Sequence, residues 1–128
     1  MDIFNLSGKV AIVTGGNGGI GLGIARGLAR AGADIAVVGR NAEKSGAAVK
    51  ELERLGVRAI AVEADVSKGD SVNAMVEKVA SDLGRVDILV NNAGTNIRKM
   101  PQDLSEDEWH TVMDVNLTSA FLCSKASY

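Results

Sequence analysis

A chain of 128 residues, 46% apolar and 23% charged, suits one α/β domain and is short for a cofactor site together with a substrate site. Its formal net charge of −2 supplies no basic field for nucleic acid. No apolar run approaches the roughly 20 residues of a membrane span, and residues 1–10 lack the charged-then-apolar order of a secretion signal. The expected setting is the cytoplasm, with neither nucleic acid nor membrane as partner.

Strand-like apolar runs and helical patterns then alternate along the chain. The first strand is predicted over Lys9–Thr14 and the first helix over about Gly19–Ala31, with Ile20, Ile24, Leu28 and Ala31 as its stripe and Gly32 as its stop. A second strand at Asp34–Gly39 leads to a helix over about Ala42–Leu55, whose stripe is Ala48, Leu52 and Leu55 and whose end is Gly56. The third strand is Arg58–Glu63, and the third helix covers about Asp70–Leu83, with Val72, Met75, Val76 and Val79 inward and Gly84 closing it. A fourth strand, Asp87–Asn91, opens into the loop NAGTNIRKMPQ. Ser105 and Glu108 then form a capping box before one last helix that runs to about the end. The unbroken runs VAIV, DIAVV and DILV imply strands covered on both faces, hence a Rossmann-like, doubly wound parallel sheet. Cys123 reads as a small buried helix residue and His110 as helix surface. One of each gives no internal disulfide and no metal site.

The turn between the first strand and the first helix, Thr14–Gly21, reads TGGNGGIG. A helix start aims unpaired backbone N–H groups outward, so a glycine turn placed there suits a dinucleotide phosphate. Gly15 allows the tight turn, Gly19 the approach of pyrophosphate, and Gly21 the packing of helix on strand, while Asn17, Gly18 and Ile20 complete the cradle. At the end of the second strand stands Arg40, where an acidic residue would bind the ribose 2′-OH of NAD. Its permanently charged fork suits a 2′-phosphate, so NADP is favoured and NAD is the alternative.

The spacing of Gly15, Gly19 and Gly21, TGxxxGxG, resembles the cofactor loop of the short-chain dehydrogenase/reductase family. Further residues extend that resemblance over essentially the whole chain. Asp65 and Val66 follow the third strand where family members hold the adenine, the carboxylate on the amino group and the next N–H on the ring. Asn91-Asn92-Ala93-Gly94 matches the family's NNAG, which supports the sheet and lies against the adenosine ribose. Asn116 matches the Asn that stabilises a helix bend beside the active site, a supporting catalytic role. The resemblance also implies the strand order 3-2-1-4. Other Rossmann-like domains, methyltransferases among them, fit the glycines but leave NNAG unexplained.

In that family a Ser and a Tyr-x-x-x-Lys carry the chemistry, the lysine lowering the tyrosine pKa so that it exchanges a proton with the substrate oxygen. Tyr128 is the only tyrosine and no lysine follows it, so it does not match. The resemblance therefore covers only the cofactor-binding N-terminal half of one Rossmann domain, residues 1–128. This half of an oxidoreductase for secondary alcohols and ketones is expected to be inactive alone. The alternative is a non-catalytic nucleotide-binding or assembly module. The loop basic residues Arg98 and Lys99 resemble those of family members acting on sugar acids, where a cationic pair could hold a carboxylate. The fourth strand should form an apolar edge, and with the final helix it implies self-association or a homo-oligomer.

Overall fold

A strand covered on both faces needs apolar side chains at consecutive positions, because alternate residues point to opposite sides. In the computed structural model, which describes residues 2–128, four such runs form one parallel sheet. The strands are β1 (Val10–Thr14), β2 (Asp34–Gly39), β3 (Ala59–Glu63) and β4 (Ile88–Val90), in the order β3-β2-β1-β4. Val10 pairs with Asp34 and Ala11 with Ile88, which makes β1 an inner strand and β4 the edge. The helices are α1 (Gly19–Arg30), α2 (Ala42–Glu53), α3 (Gly69–Leu83), α4 (Glu106–Met113) and α5 (Ser119–Ser127). The expected fold class and strand order are both observed.

The two faces of the sheet build two cores. Val10, Ile12, Ala36 and Val38 point toward Val72, Met75, Val79 and Leu83 of α3 and Cys123 of α5. Their neighbours Ala11, Val13, Ile35 and Val37 point the other way, toward Ala25 and Ala29 of α1 and Ala48 and Leu52 of α2. Burying one such aliphatic side chain contributes about 1.5–3 kcal/mol, so the alternation along β1 and β2 anchors helices on both sides at once. Among the described residues no helix is long and apolar enough to cross a membrane.

Several boundaries and faces differ from expectation. In α1 the buried row is Gly21, Ala25 and Ala29, while Ile20 is 78% and Ile24 36% exposed. Gly21 presses on the glycine turn so closely that a Cβ there would strike the Gly15 carbonyl, and this contact turns the isoleucines away from the sheet. The second helix ends at Glu53, which leaves Leu55 38% exposed outside its stripe. Strand β4 is shorter than predicted, and Asp87 just before it is tied to the neighbouring strand by its N–H, which donates to the Val10 carbonyl at 2.9 Å, and by its side chain. Its Oδ2 accepts the Val10 N–H at 2.9 Å, and Arg85 holds its Oδ1 at 2.6 Å. The single terminal helix is in fact two, joined by a π-helical turn over Asp114–Thr118.

Candidate cofactor site

The glycine turn leaves the C-terminal end of β1 and hooks over β2, with the Gly15 N–H donating to the Val38 carbonyl at 2.8 Å. Gly15 and Gly19 have φ of +65° and +54°, conformations that side chains disfavour. Gly18 is the N-cap of α1. Among the described residues no side chain caps this end, and no acidic residue occupies its first turn. The N–H groups of the α1 start thus remain available to an external acceptor, aided by the positive end of the helix dipole.

Thr14 ties this turn to the loop after β4. Its hydroxyl donates to the Val90 carbonyl at 3.3 Å and accepts the Asn92 and Ala93 N–H groups at 3.0 Å each. Asn92 reciprocates by donating Nδ2 to the Gly15 carbonyl at 3.2 Å. Beyond it, Asn116 grips the backbone of Thr95 from both sides. Its Oδ1 accepts the Thr95 N–H at 2.7 Å and its Nδ2 donates to the Thr95 carbonyl at 2.9 Å. Asn116 belongs to the π-helical turn, and an added Cβ at Gly94 would lie 3.0 Å from its Oδ1. Wide turns of this kind displace a side chain from the regular helical positions.

These loops enclose a cavity of about 170 Å³. Of the residues expected to hold a cofactor, Gly15, Asn17, Arg40, Val66, Ala93 and Gly94 line it. Val38, Gly39, Ala64 and Val115 line it too, unmarked by any motif. Gly18, Gly19 and Ile20 form the adjoining helix start, Gly21 lies beneath the turn, and Asn92 stands behind it. Asp65 precedes Val66 and is half-buried. Its Oδ1 accepts the Ser67 hydroxyl at 2.6 Å and the Ser67 N–H at 3.1 Å. Those two bonds, outweighing partial burial and assisted by the charges of Arg40 and Lys68, hold its carboxyl below the usual value. Asp65 is therefore an acceptor only at neutral pH.

Arg40 is exposed at the cavity mouth and makes no ion pair among the described residues. The basic loop behaves differently from expectation. Arg98 and Lys99 line an open groove of about 530 Å³, but Lys99 Nζ is 2.8 Å from Glu108 Oε2. Glu108 is also the capping-box partner of Ser105, so one member of the anticipated cationic pair is engaged in fixing α4. A separate cavity of about 280 Å³ lies between β4 and the end of α5, away from the glycine turn. Besides the four lining residues without a motif, three residues at the turn carry no sequence signal of their role. In the sequence Thr14 is only the first letter of the turn, and Lys44 and Ser45 of α2 carry no motif, although both touch the turn.

A parallel sheet whose strand order reverses beside β1, with an uncapped glycine turn at that point, defines a Rossmann-like nucleotide fold. Residues 9–128 match the short chain dehydrogenase family, and the chain belongs to it. It is 40% identical over 127 residues to a 2-dehydro-3-deoxy-D-gluconate 5-dehydrogenase of Escherichia coli strain K12, covering 99% of this chain and 49% of that protein. A short chain dehydrogenase from Burkholderia cenocepacia J2315, solved in complex with NADP, superposes with a TM-score of 0.92 at 42% identity over 96% of this chain and 51% of that one. An NAD+-bound xylitol dehydrogenase superposes with a TM-score of 0.90 at 37% identity, over 95% and 47%. The chain spans about half the length of the curated relatives it matches.

Proposed function

We propose that residues 1–128 are the cofactor-binding part of one Rossmann domain in an NAD(P)-dependent oxidoreductase that interconverts a secondary alcohol and a ketone. The uncapped α1 start, stapled by Thr14 and Asn92 to the NNAG loop, carries this reading. Gly15, Asn17, Gly18, Gly19, Ile20 and Gly21 surround the phosphates, with the N–H groups at the α1 start donating to them. Asp65 would accept from the adenine amino group and the Val66 N–H would meet the ring, while the small Ala93 and Gly94 would leave room for the ribose that Asn92 and its loop lie against. The nicotinamide, when bound, supplies or takes the hydride. Asn116 supports the reacting end by fixing Thr95. These 128 residues alone should bind the cofactor weakly at best, through its adenosine half, and transfer no hydride.

Arg40 favours NADP, with NAD as the second possibility. The exposed guanidinium lacks a protein partner among the described residues, and its position after β2 is where a 2′-phosphate would stand. The solved relatives named above hold NADP in one case and NAD+ in another. Titrating the chain with both nucleotides tests this. Arg40→Ala should weaken NADP about tenfold or more and leave NAD within about twofold, as loss of a charge-assisted contact implies. Equal losses for the two would refute the NADP assignment.

A sugar acid is the proposed substrate class. The gluconate-type relative supports it, and so does Arg98, exposed in the open groove and without an ion pair among the described residues. Self-association through the β4 edge and the α5 face is part of the same proposal. Leu117 of the π-helical turn is 60% exposed and Phe121 of α5 63%.

A further inference from the structure

We propose that Ser67 is the positioning residue that makes the Asp65–Val66 pair selective for an adenine ring. The inference rests on the reading that this pair meets the adenine, and adds to it the residue that aims the carboxylate. Asp65 stands in the chain between Ala64 and Val66, which both line the cavity of the glycine turn. Its Oδ1 takes both bonds that Ser67 offers, the hydroxyl at 2.6 Å and the N–H at 3.1 Å. Its Oδ2 has no hydrogen-bond or ion-pair partner among the described residues. The Val66 N–H has none among them either.

On adjacent residues, a free carboxylate oxygen and a free N–H provide an acceptor and then a donor. The edge of adenine offers the complement, a 6-amino donor next to the N1 acceptor. A 6-oxo purine presents the reverse order and would set its oxygen against the carboxylate. Selectivity of this kind depends on where Oδ2 is held, because a carboxylate free to turn can offer an oxygen to water or to either edge.

The Ser67 hydroxyl does more than the local turn requires. An Asx turn needs only the N–H two residues on, which Ser67 supplies, so the shorter hydroxyl bond is an addition to it. It acts on a torsion with no sharp preference of its own, since rotation of a carboxylate about its terminal bond is broad and twofold. With both Ser67 donors on Oδ1, the carboxylate is held in place and Oδ2 is the oxygen left for a ligand. The backbone is fixed separately. The Asp65 N–H donates to the Ser71 hydroxyl at 2.9 Å, and its carbonyl accepts the Lys68 N–H at 3.1 Å. Removing the Ser67 hydroxyl therefore leaves the turn standing and loosens the carboxylate alone. The same hydroxyl bond comes first among the causes that hold the Asp65 carboxyl below its usual value, which keeps Oδ2 an acceptor.

Calorimetric titration of the full chain with 5′-AMP and with purine riboside 5′-monophosphate tests the proposal, because the two probes differ only in the 6-amino group. The wild-type chain should prefer 5′-AMP. Ser67→Ala should weaken 5′-AMP about threefold to tenfold, as expected when a charge-assisted contact loses its aim, with the analogue unchanged. Ser67→Thr should keep the preference, whereas Ser67→Val, of the same shape without the hydroxyl, should lose it as the alanine does. An undiminished preference in the alanine and valine variants overturns the inference. An equal loss for both probes assigns Ser67 to the shape of the turn and also overturns it. Asp65→Ala separates this failure from that of the underlying reading, since it should abolish the preference altogether. A wild-type chain that binds neither probe or shows no preference, or a preference that survives Asp65→Ala, sinks the adenine reading itself.

Discussion

At Thr14 a 2% exposed hydroxyl uses its one proton and both lone pairs, on Val90, Asn92 and Ala93. Thr14→Val keeps the shape but removes every one of these bonds, leaving the Ala93 N–H without its partner while the Asn92 N–H keeps the Val90 carbonyl at 3.1 Å. It should destabilise the chain by about 1–3 kcal/mol, with Thr14→Ser losing much less, as urea denaturation would measure. A valine variant as stable as the wild type would deny the hydroxyl its role as a staple. The motif was legible here while the reason for its threonine was not, since the partners lie 76 to 79 residues away. The same distance effect hid the fate of Lys99. Its partner Glu108 was recognised as a capping residue, but nothing in the local sequence says that the loop folds back onto it.

Among the elements, α3 was the most legible because Val72, Met75 and Val79 recur at helical spacing and Gly84, at φ +89°, ends the helix in the left-handed region. The inward face of α1 was misread, since hydrophobic periodicity gives no weight to Gly21, Ala25 and Ala29 packing closest to the sheet. The π-helical turn was invisible for another reason: its signature residue, Asn116, takes its partner Thr95 from outside the helix. Strand starts use carboxylates as fasteners. Asp34 accepts the Arg58 N–H and Nε at 2.9 Å each, and Asp87 does the same service between β4 and β1.

The Arg85 side-chain bond, followed by the Val10 N–H, holds the Asp87 carboxyl below its usual 3.8, and Lys99 with the Ser105 N–H holds Glu108 below its usual 4.5. The folded chain consequently binds fewer protons than the unfolded one in acid, and stability rises with pH through that range. These contributions are complete above the ordinary values and disappear as pH falls through the lowered folded ones. Circular dichroism during acid titration should show a plateau above about pH 5 and unfolding below it. In Asp87→Asn the depressed group is gone. The acid limb should become shallower, at lower stability near neutral pH, and an unchanged profile would count against the β1–β4 fastener.

For the molecule as a whole, β4 is the outermost strand on its side and Ile88, Leu89 and Val90 are each only half-buried. Such an edge offers unpaired N–H and C=O groups beside apolar side chains, a combination that templates further pairing. Sedimentation of the 128-residue chain should show self-association that deepens with concentration. A well-behaved monomer at about tens of micromolar would contradict it. The doubly wound architecture was readable from unbroken apolar strands alone, because only two-sided cover explains them.

The Asn116 grip on Thr95 has one more consequence. By fastening the backbone at that residue, it sets a border in the segment after β4: Asn92, Ala93 and Gly94 are tied to the glycine turn and its cavity, whereas Asn96, Ile97, Arg98 and Met100 lie along the open groove. Substitutions beyond the border can reshape what the groove accepts while the cradle keeps its form. A single amide side chain thus separates the two surfaces, so that one can vary while the other keeps its shape.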